Sequence, residues 1–375
     1  MLLINSLIFK INIMKVTKIK IFAVLISLLG ISSCQNDPNV FPNFDYTTTY
    51  FAWQYPVRTL VLGTESYYDN SNDIKHQFVI QASMGGVYSN MKDINVGFEL
   101  DPSLVDSLSI LSGADTVRLK MLPSNYYEPI TSSNMVIPKG SFNGGITIKL
   151  TDAFFNDPLS YTNKYVLPLR MLSSQTDSIL KGKVKSSAST SLITSIASKW
   201  NIDPRVAANW DVKPMNFTIY AIKYVNQYHG YYLKRGVQKE TTVGVTGTDK
   251  SYGWEKQYIE YTTYIPKLTT LTLNKLLYSD KLALSSEKFI AVVDVASDNS
   301  VTITKDPKST TNISGTGKYV TGVEEWGGKK RGAFYLNYTV SDPTTNKSYS
   351  VKDTLVIRDN AVAVETFIPT ILPKK

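Results

Sequence analysis

Met135-Val136-Ile137-Pro138-Lys139-Gly140, followed after Ser141-Phe142-Asn143 by Gly144-Gly145-Ile146-Thr147-Ile148-Lys149-Leu150, reads as two strands joined by a glycine-rich turn. The same pattern extends in both directions. Upstream, Thr47–Leu62 is rich in aromatic and β-branched residues, and Gln77–Ala82, Asn95–Leu100 and Thr116–Met121 alternate over short spans. Downstream, Tyr165–Leu172 reads as a closing strand, with Pro168 pointing to a sheet edge. Seven or so short strands over ~130 residues, with turn signals between them, predict an immunoglobulin-like β-sandwich over 45–180.

Beyond Leu180 the composition changes. Ser, Thr, Ala and Lys dominate Lys181–Ser198, and turn-forming glycine is missing after Gly182. Residues 181–214 are read as a linker, with a short helix over Ser191–Lys199 as the other option. A second domain is expected over 215–375. Tyr220, Tyr224 and Tyr228 fall four apart, which would line one face of a short helix ended by Gly230. Strands follow at Tyr231–Gln238, Gln257–Tyr264, Leu268–Leu273, Phe289–Val295, Val301–Thr304, Arg331–Val340 and Ser348–Arg358. Turn-prone residues at Asp298-Asn299, Ser314–Gly317, Gly327-Gly328 and Asp342-Pro343 separate them. The fold class is therefore all-β in both domains, the second an antiparallel barrel or sandwich; periodicity does not choose between those two.

The N-terminus carries a processing signal. Lys15, Lys18 and Lys20 lead into Ile21–Leu29, an apolar run broken only by Ser27, and small residues bring the chain to Cys34. The run is shorter than the ~20 residues a spanning helix needs. Cys34 is the only cysteine, so it has no internal disulfide partner. Met14 is read as the start, residues up to 33 as a lipoprotein signal peptide, Cys34 as the acylated residue and 34–44 as a tether. The expected location is the outer membrane, through lipid alone. Loss of residues 1–33 removes Lys10, Lys15, Lys18 and Lys20 and no acid, so the formal charge of +9 falls to +5. What remains is scattered, which argues against a nucleic-acid partner, for which charge gathers on one face.

Chemistry is mostly excluded. Two histidines and one cysteine cannot supply a His/Cys zinc site once Cys34 is acylated. There is no Gly-x-Ser-x-Gly elbow and no phosphate-binding loop. His229, at the entry to a strand, reads as a hydrogen-bonded structural residue. Glu324 and Glu325 would point to opposite faces of a strand and are read as loop acids, and Asp152 as a cap. No catalytic residue, metal or cofactor is assigned. The positive signal is 24 Tyr and 5 Trp, many of them between 220 and 264. Flat rings with one polar tip suit sugar faces, although rings of this kind also fill β cores. Trp254, Tyr252, Trp326, Tyr228 and Tyr231 are nominated as ligand-binding, because glycines beside Tyr252, Trp254 and Trp326 would let a ring project from a turn.

Tyr50-Phe51-Ala52-Trp53-Gln54-Tyr55-Pro56-Val57-Arg58-Thr59-Leu60 and Met84-Gly85-Gly86-Val87-Tyr88-Ser89-Asn90 resemble the N-terminal domain, of unknown function, of a family of Bacteroidota surface lipoproteins. Ile137–Gly140, Leu150–Phe155 and Tyr165–Leu169 fit its later part. Lys223–Gly236 resembles the opening of the associated C-terminal domain, also of unknown function. The resemblance implies polysaccharide-utilisation systems, neighbouring outer-membrane glycan importers and, for some members, adhesion; it carries over no catalytic residue. Asp37 is the only acid just after Cys34, so surface display and a periplasm-facing anchor both stay open. The resulting expectation is a non-catalytic glycan-binding lipoprotein. An adhesive or structural subunit that binds another protein ranks second, and a cryptic glycosidase third.

Overall fold

Tyr165–Ser174 lies within an 11-stranded sheet, paired with Ile94–Leu100 on one side and Phe217–Val225 on the other. The computed structural model describes residues 43–64, 68–112, 115–188, 194–253 and 264–372; Cys34, Trp254 and most of the expected strand Gln257–Tyr264 fall outside them. Every residue from Tyr165 to Leu169 is buried, as a strand covered on both faces requires. The edge expected from Pro168 is therefore corrected. Its carbonyl accepts the Asp101 N–H at 3.1 Å, so its ring nitrogen faces the break between Lys120–Met121 and Ile94–Leu100, where no donor is needed.

The sheet continues through Asn134–Ile137, Asn143–Lys149, Gln77–Gly85 and Thr48–Tyr50 on one flank, and Pro56–Val61 on the other. Gly144 and Gly145 are strand residues rather than a turn. A Cβ on Gly144 would sit 1.9 Å from the Val136 carbonyl oxygen, and one on Gly145 as close to that of Ile80. Bare backbone there lets three strands approach closely. Inward residues of both flanks (Phe78 and Ile80 on one, Leu60 on the other) share one core with Phe98 and Leu167 of the central strands, so the sheet closes over it as a sandwich does. A second core of Leu104, Leu108, Phe217, Ile219 and Phe367 covers the outer face.

Phe217–Val225 is a strand, where the tyrosine spacing had suggested a helix. A four-residue interval is also a multiple of the strand period of two, so Tyr220 and Tyr224 share a face either way. The β-branched and aromatic neighbours decide the matter. This strand joins the first sheet, and the described part of 181–214 packs against it, with Ile196 and Trp200 in one core with Phe217 and Ile219, while Lys183–Val184 pairs with Trp210–Val212.

After Val225 the chain forms an eight-stranded antiparallel barrel: Gly230–Glu240, Lys267–Thr270, Lys275–Lys281, Lys288–Val295, Ser300–Lys305, Asn312–Trp326, Lys329–Asp342 and Lys347–Asp359. The last strand pairs back onto the first, from Tyr231↔Asp359 to Glu240↔Tyr349. Closure removes the open edges that a sandwich would leave. Ser314–Gly317 lies inside the 15-residue strand Asn312–Trp326. Gly317 is there for contact, since a Cβ would come 2.3 Å from the Tyr335 carbonyl oxygen. The chain then returns to the first sheet, where Glu365–Thr366 pairs with Pro56–Val57, and ends in a separate three-stranded sheet, where Thr370–Ile371 pairs with Leu108–Ser109.

His229 has the structural role expected of it. Its Nδ1 accepts the Thr270 N–H at 3.1 Å, and burial, aided by Lys267 and Lys223, lowers its pKa from the ordinary 6.5 to about 3. Between those values the unfolded chain binds a proton that the native state refuses. Stability is therefore full above pH 6.5 and falls as pH drops towards 3, by at most about 1.4 kcal/mol per pH unit. Urea unfolding at pH 7.5 and pH 4.5 is expected to show a smaller acid loss for His229→Gln than for the native chain. Phe367, edge-on to Tyr55 at 5.4 Å, anchors the returning tail. Phe367→Ala is expected to cost about 3 kcal/mol in the same measurement.

Candidate functional site

The tyrosines and tryptophan nominated from sequence are mostly core residues. Tyr228, Tyr252 and Trp326 are 5 %, 2 % and 6 % exposed, so none presents a free ring face. Tyr228 packs edge-on to Tyr319 at 4.8 Å in the barrel core. The Tyr252 hydroxyl donates to the buried Asp353 carboxylate, which also accepts the Tyr338 hydroxyl at 2.6 Å. Burial raises the Asp353 pKa. Trp326 lies against Leu233, Ala333 and Val356, with the Arg331 guanidinium 5.8 Å from its ring. Tyr231 alone of the described four is exposed, and the Lys267 ammonium lies 5.3 Å from its ring centre. Glu324 and Glu325 stand on a strand rather than in a loop. Glu324 is held by Arg235 and by the Tyr335 hydroxyl. Asp152 opens the short helix Asp152–Asn156, with Thr151 at the cap.

A different pair of rings lies at a groove. Trp200 and Trp210 line a 490 Å³ cavity on the first sheet region, together with Arg170, Lys181, Lys199, Asn201 and Asn216. Buried acids build it. Asp101 accepts the Trp200 indole N–H at 2.9 Å, and the Arg170 guanidinium sits 5.4 Å from that ring. Arg205, wholly buried as a side chain, binds Asp203 through two nitrogens at 3.0 and 2.8 Å and reaches the Leu104 and Asp106 carbonyls. The Asp203 carbonyl in turn accepts the Trp210 indole N–H at 3.0 Å. Such a bidentate, fully bonded ion pair holds its loop in one arrangement. Gly182, at φ 76°, completes the wall: a Cβ would come 2.5 Å from the Val212 carbonyl oxygen.

Polar capacity remains in this groove. Arg170 and Lys199 both bind Glu99, at 2.8 and 2.6 Å. The Lys181 ammonium has no partner among the described residues, and the buried Asn216 Oδ1 has none either. A buried amide oxygen left unpaired costs roughly 1–3 kcal/mol, so it calls for an explanation. The available sequence signal was Lys199-Trp200-Asn201 and Asn209-Trp210-Asp211, two tryptophans flanked by polar residues inside a stretch whose composition suggested a linker.

Comparison with known proteins places these two halves. A model described as a domain of unknown function, DUF5627, matches residues 227–361, the barrel, and an N-terminal-domain model matches 44–178. A crystal structure of a protein of unknown function from Bacteroides ovatus is 33% identical, covering 88% of this chain and 100% of its own, with a TM-score of 0.72. A second protein of unknown function from that organism is 14% identical, covers 86% of this chain and 100% of its own, and has a TM-score of 0.36. A multidomain protein including DUF1735, from the same organism, is 12% identical over 86% of this chain and 100% of its own, at 0.38. No functionally curated protein matches. The chain belongs to a Bacteroidota family in which an N-terminal β-sheet domain is joined to a DUF5627 barrel, both of unknown function.

Proposed function

We propose that this protein is a non-catalytic, lipid-anchored outer-membrane protein that holds glycan in the groove of Trp200 and Trp210. The observation that carries the reading is that groove: the half-buried Trp200 indole, a buried amide oxygen and a lysine ammonium, the last two without a partner among the described residues, line one cavity of 490 Å³, with the buried Trp210 ring in its wall. A sugar offers apolar C–H faces to rings and hydroxyls to polar edges, and Asn216 and Lys181 can meet those hydroxyls. The leader ending at Cys34 supports the anchor, and no helix among the described residues is long and apolar enough to cross a membrane.

Isothermal titration against neutral plant and host polysaccharides tests the groove. Asn216→Ala and Lys181→Ala are each expected to weaken binding about tenfold, the loss of roughly 1.4 kcal/mol of hydrogen bonding. Unchanged affinity in both variants would remove the groove from the reading, and silence across the panel from a folded protein would remove glycan binding. For the anchor, mass spectrometry of protein expressed with its leader should find Cys34 N-terminal and acylated. Cys34→Ala should release the protein from the membrane fraction.

A further inference from the structure

The barrel carries a second cavity, also of 490 Å³, at the hairpin of Lys275–Lys281 and Lys288–Val295 and beside the turn of Lys308. Three ammoniums line it, those of Lys281, Lys288 and Lys308. Among the described residues none of the three makes an ion pair. The one lining acid, Asp280, is occupied: its Oδ2 accepts the Lys234 ammonium at 2.5 Å. Asp306 lies two residues from Lys308, but its Oδ1 accepts the Lys308 backbone N–H at 2.9 Å, and it does not line the cavity.

Lys281 and Lys288 are moreover direct cross-strand partners. Like charges facing each other across a strand pair destabilise it, and on this exposed face any polar residue would satisfy the fold. Such a local conflict has its compensation elsewhere, and a bound anion supplies one. The donors are compact ammoniums, with no guanidinium fork among them, and the hydroxyls of Ser279 and Thr310 line the same cavity without a hydrogen-bond partner among the described residues. Point charges and rotatable donors on several sides suit a tetrahedral oxyanion better than a planar carboxylate, which arginine pairs bidentately. The walls add Ile290 and the lysine stems, which would pack against an attached organic body.

We infer that this barrel cavity binds a ligand bearing a tetrahedral oxyanion ester, a sulfate or phosphate ester on a small polar body such as a sugar. The site shares no residue with the Trp200–Trp210 groove, so it stands or falls separately from the reading above. The test uses the full chain in non-ionic detergent at low ionic strength, titrated with glucose 6-sulfate, glucose 6-phosphate and glucose. The expected result is that one or both esters bind more tightly than glucose, and that this difference shrinks as salt is raised. Sulfate-only or phosphate-only binding identifies the ester. Lys281→Gln/Lys288→Gln and Lys308→Gln should each weaken it at least tenfold. Lys329→Gln/Lys330→Gln, which removes the same charge as the first pair from outside the cavity, should leave it unchanged. Equal weakening by Lys329→Gln/Lys330→Gln would reduce the effect to net charge and overturn the site, as would glucose binding as tightly as its esters. Absence of ester binding from folded protein would also overturn it.

Discussion

Phe217–Val225 is the strand on which the two halves of this protein depend. It pairs antiparallel with Tyr165–Arg170 and parallel with Val57–Val61, and both of its faces are covered. Ile222 and Tyr224 enter the sandwich core, while Phe217, Ile219 and Ala221 enter the outer one. Four intervening residues separate its end at Val225 from the start of the first barrel strand at Gly230. A central strand of one domain is thus the covalent lead into the next, and the tail returns from the barrel to pair beside it. Removing either would strip a neighbour from Pro56–Val61, whose backbone groups would then need water.

Aromatic richness in the barrel has a structural cause. A closed eight-stranded barrel has an interior that side chains must fill. Tyr228, Tyr232, Tyr278, Phe289, Phe334 and Tyr338 do that here, and buried phenols bring hydroxyls that need partners. The Tyr232 hydroxyl donates to the Tyr228 carbonyl at 2.6 Å, and the Tyr338 hydroxyl donates to Asp353. The carboxylates and Lys234 inside the barrel answer those hydroxyls and one another. This consumes rings that would otherwise have been available for a ligand.

Polar groups left without partners therefore say more about function than ring count does. On the first sheet region, buried charges at Asp101, Asp203 and Arg205 hold Trp200 and Trp210 in place, while Asn216 Oδ1 and the Lys181 ammonium stay unmatched. On the barrel, three lysines without an ion-pair partner among the described residues line one cavity.

The all-β class is legible in the amino-acid order alone, because short runs of β-branched and aromatic residues between Gly, Pro, Asn and Asp leave little room for helix. Most strand positions were legible for the same reason, and so was the structural role of His229. Tertiary structure decided what local pattern cannot encode. Tyr220 and Tyr224 share a face on a helix or on a strand, so only pairing with Tyr165–Arg170 settled which they form. Glycine reads as a turn from sequence, yet Gly145 and Gly317 sit within strands because a neighbouring carbonyl leaves no space for a Cβ. Ring exposure was likewise decided by neighbours in the fold, which bury Tyr228 in the barrel core, Tyr252 against Asp353 and Trp326 against Leu233, Ala333 and Val356, and which tie the Trp200 indole to the distant Asp101. Which side chains keep unmet hydrogen-bonding or charge depends on neighbours remote in the chain, and only the folded arrangement brings those neighbours together.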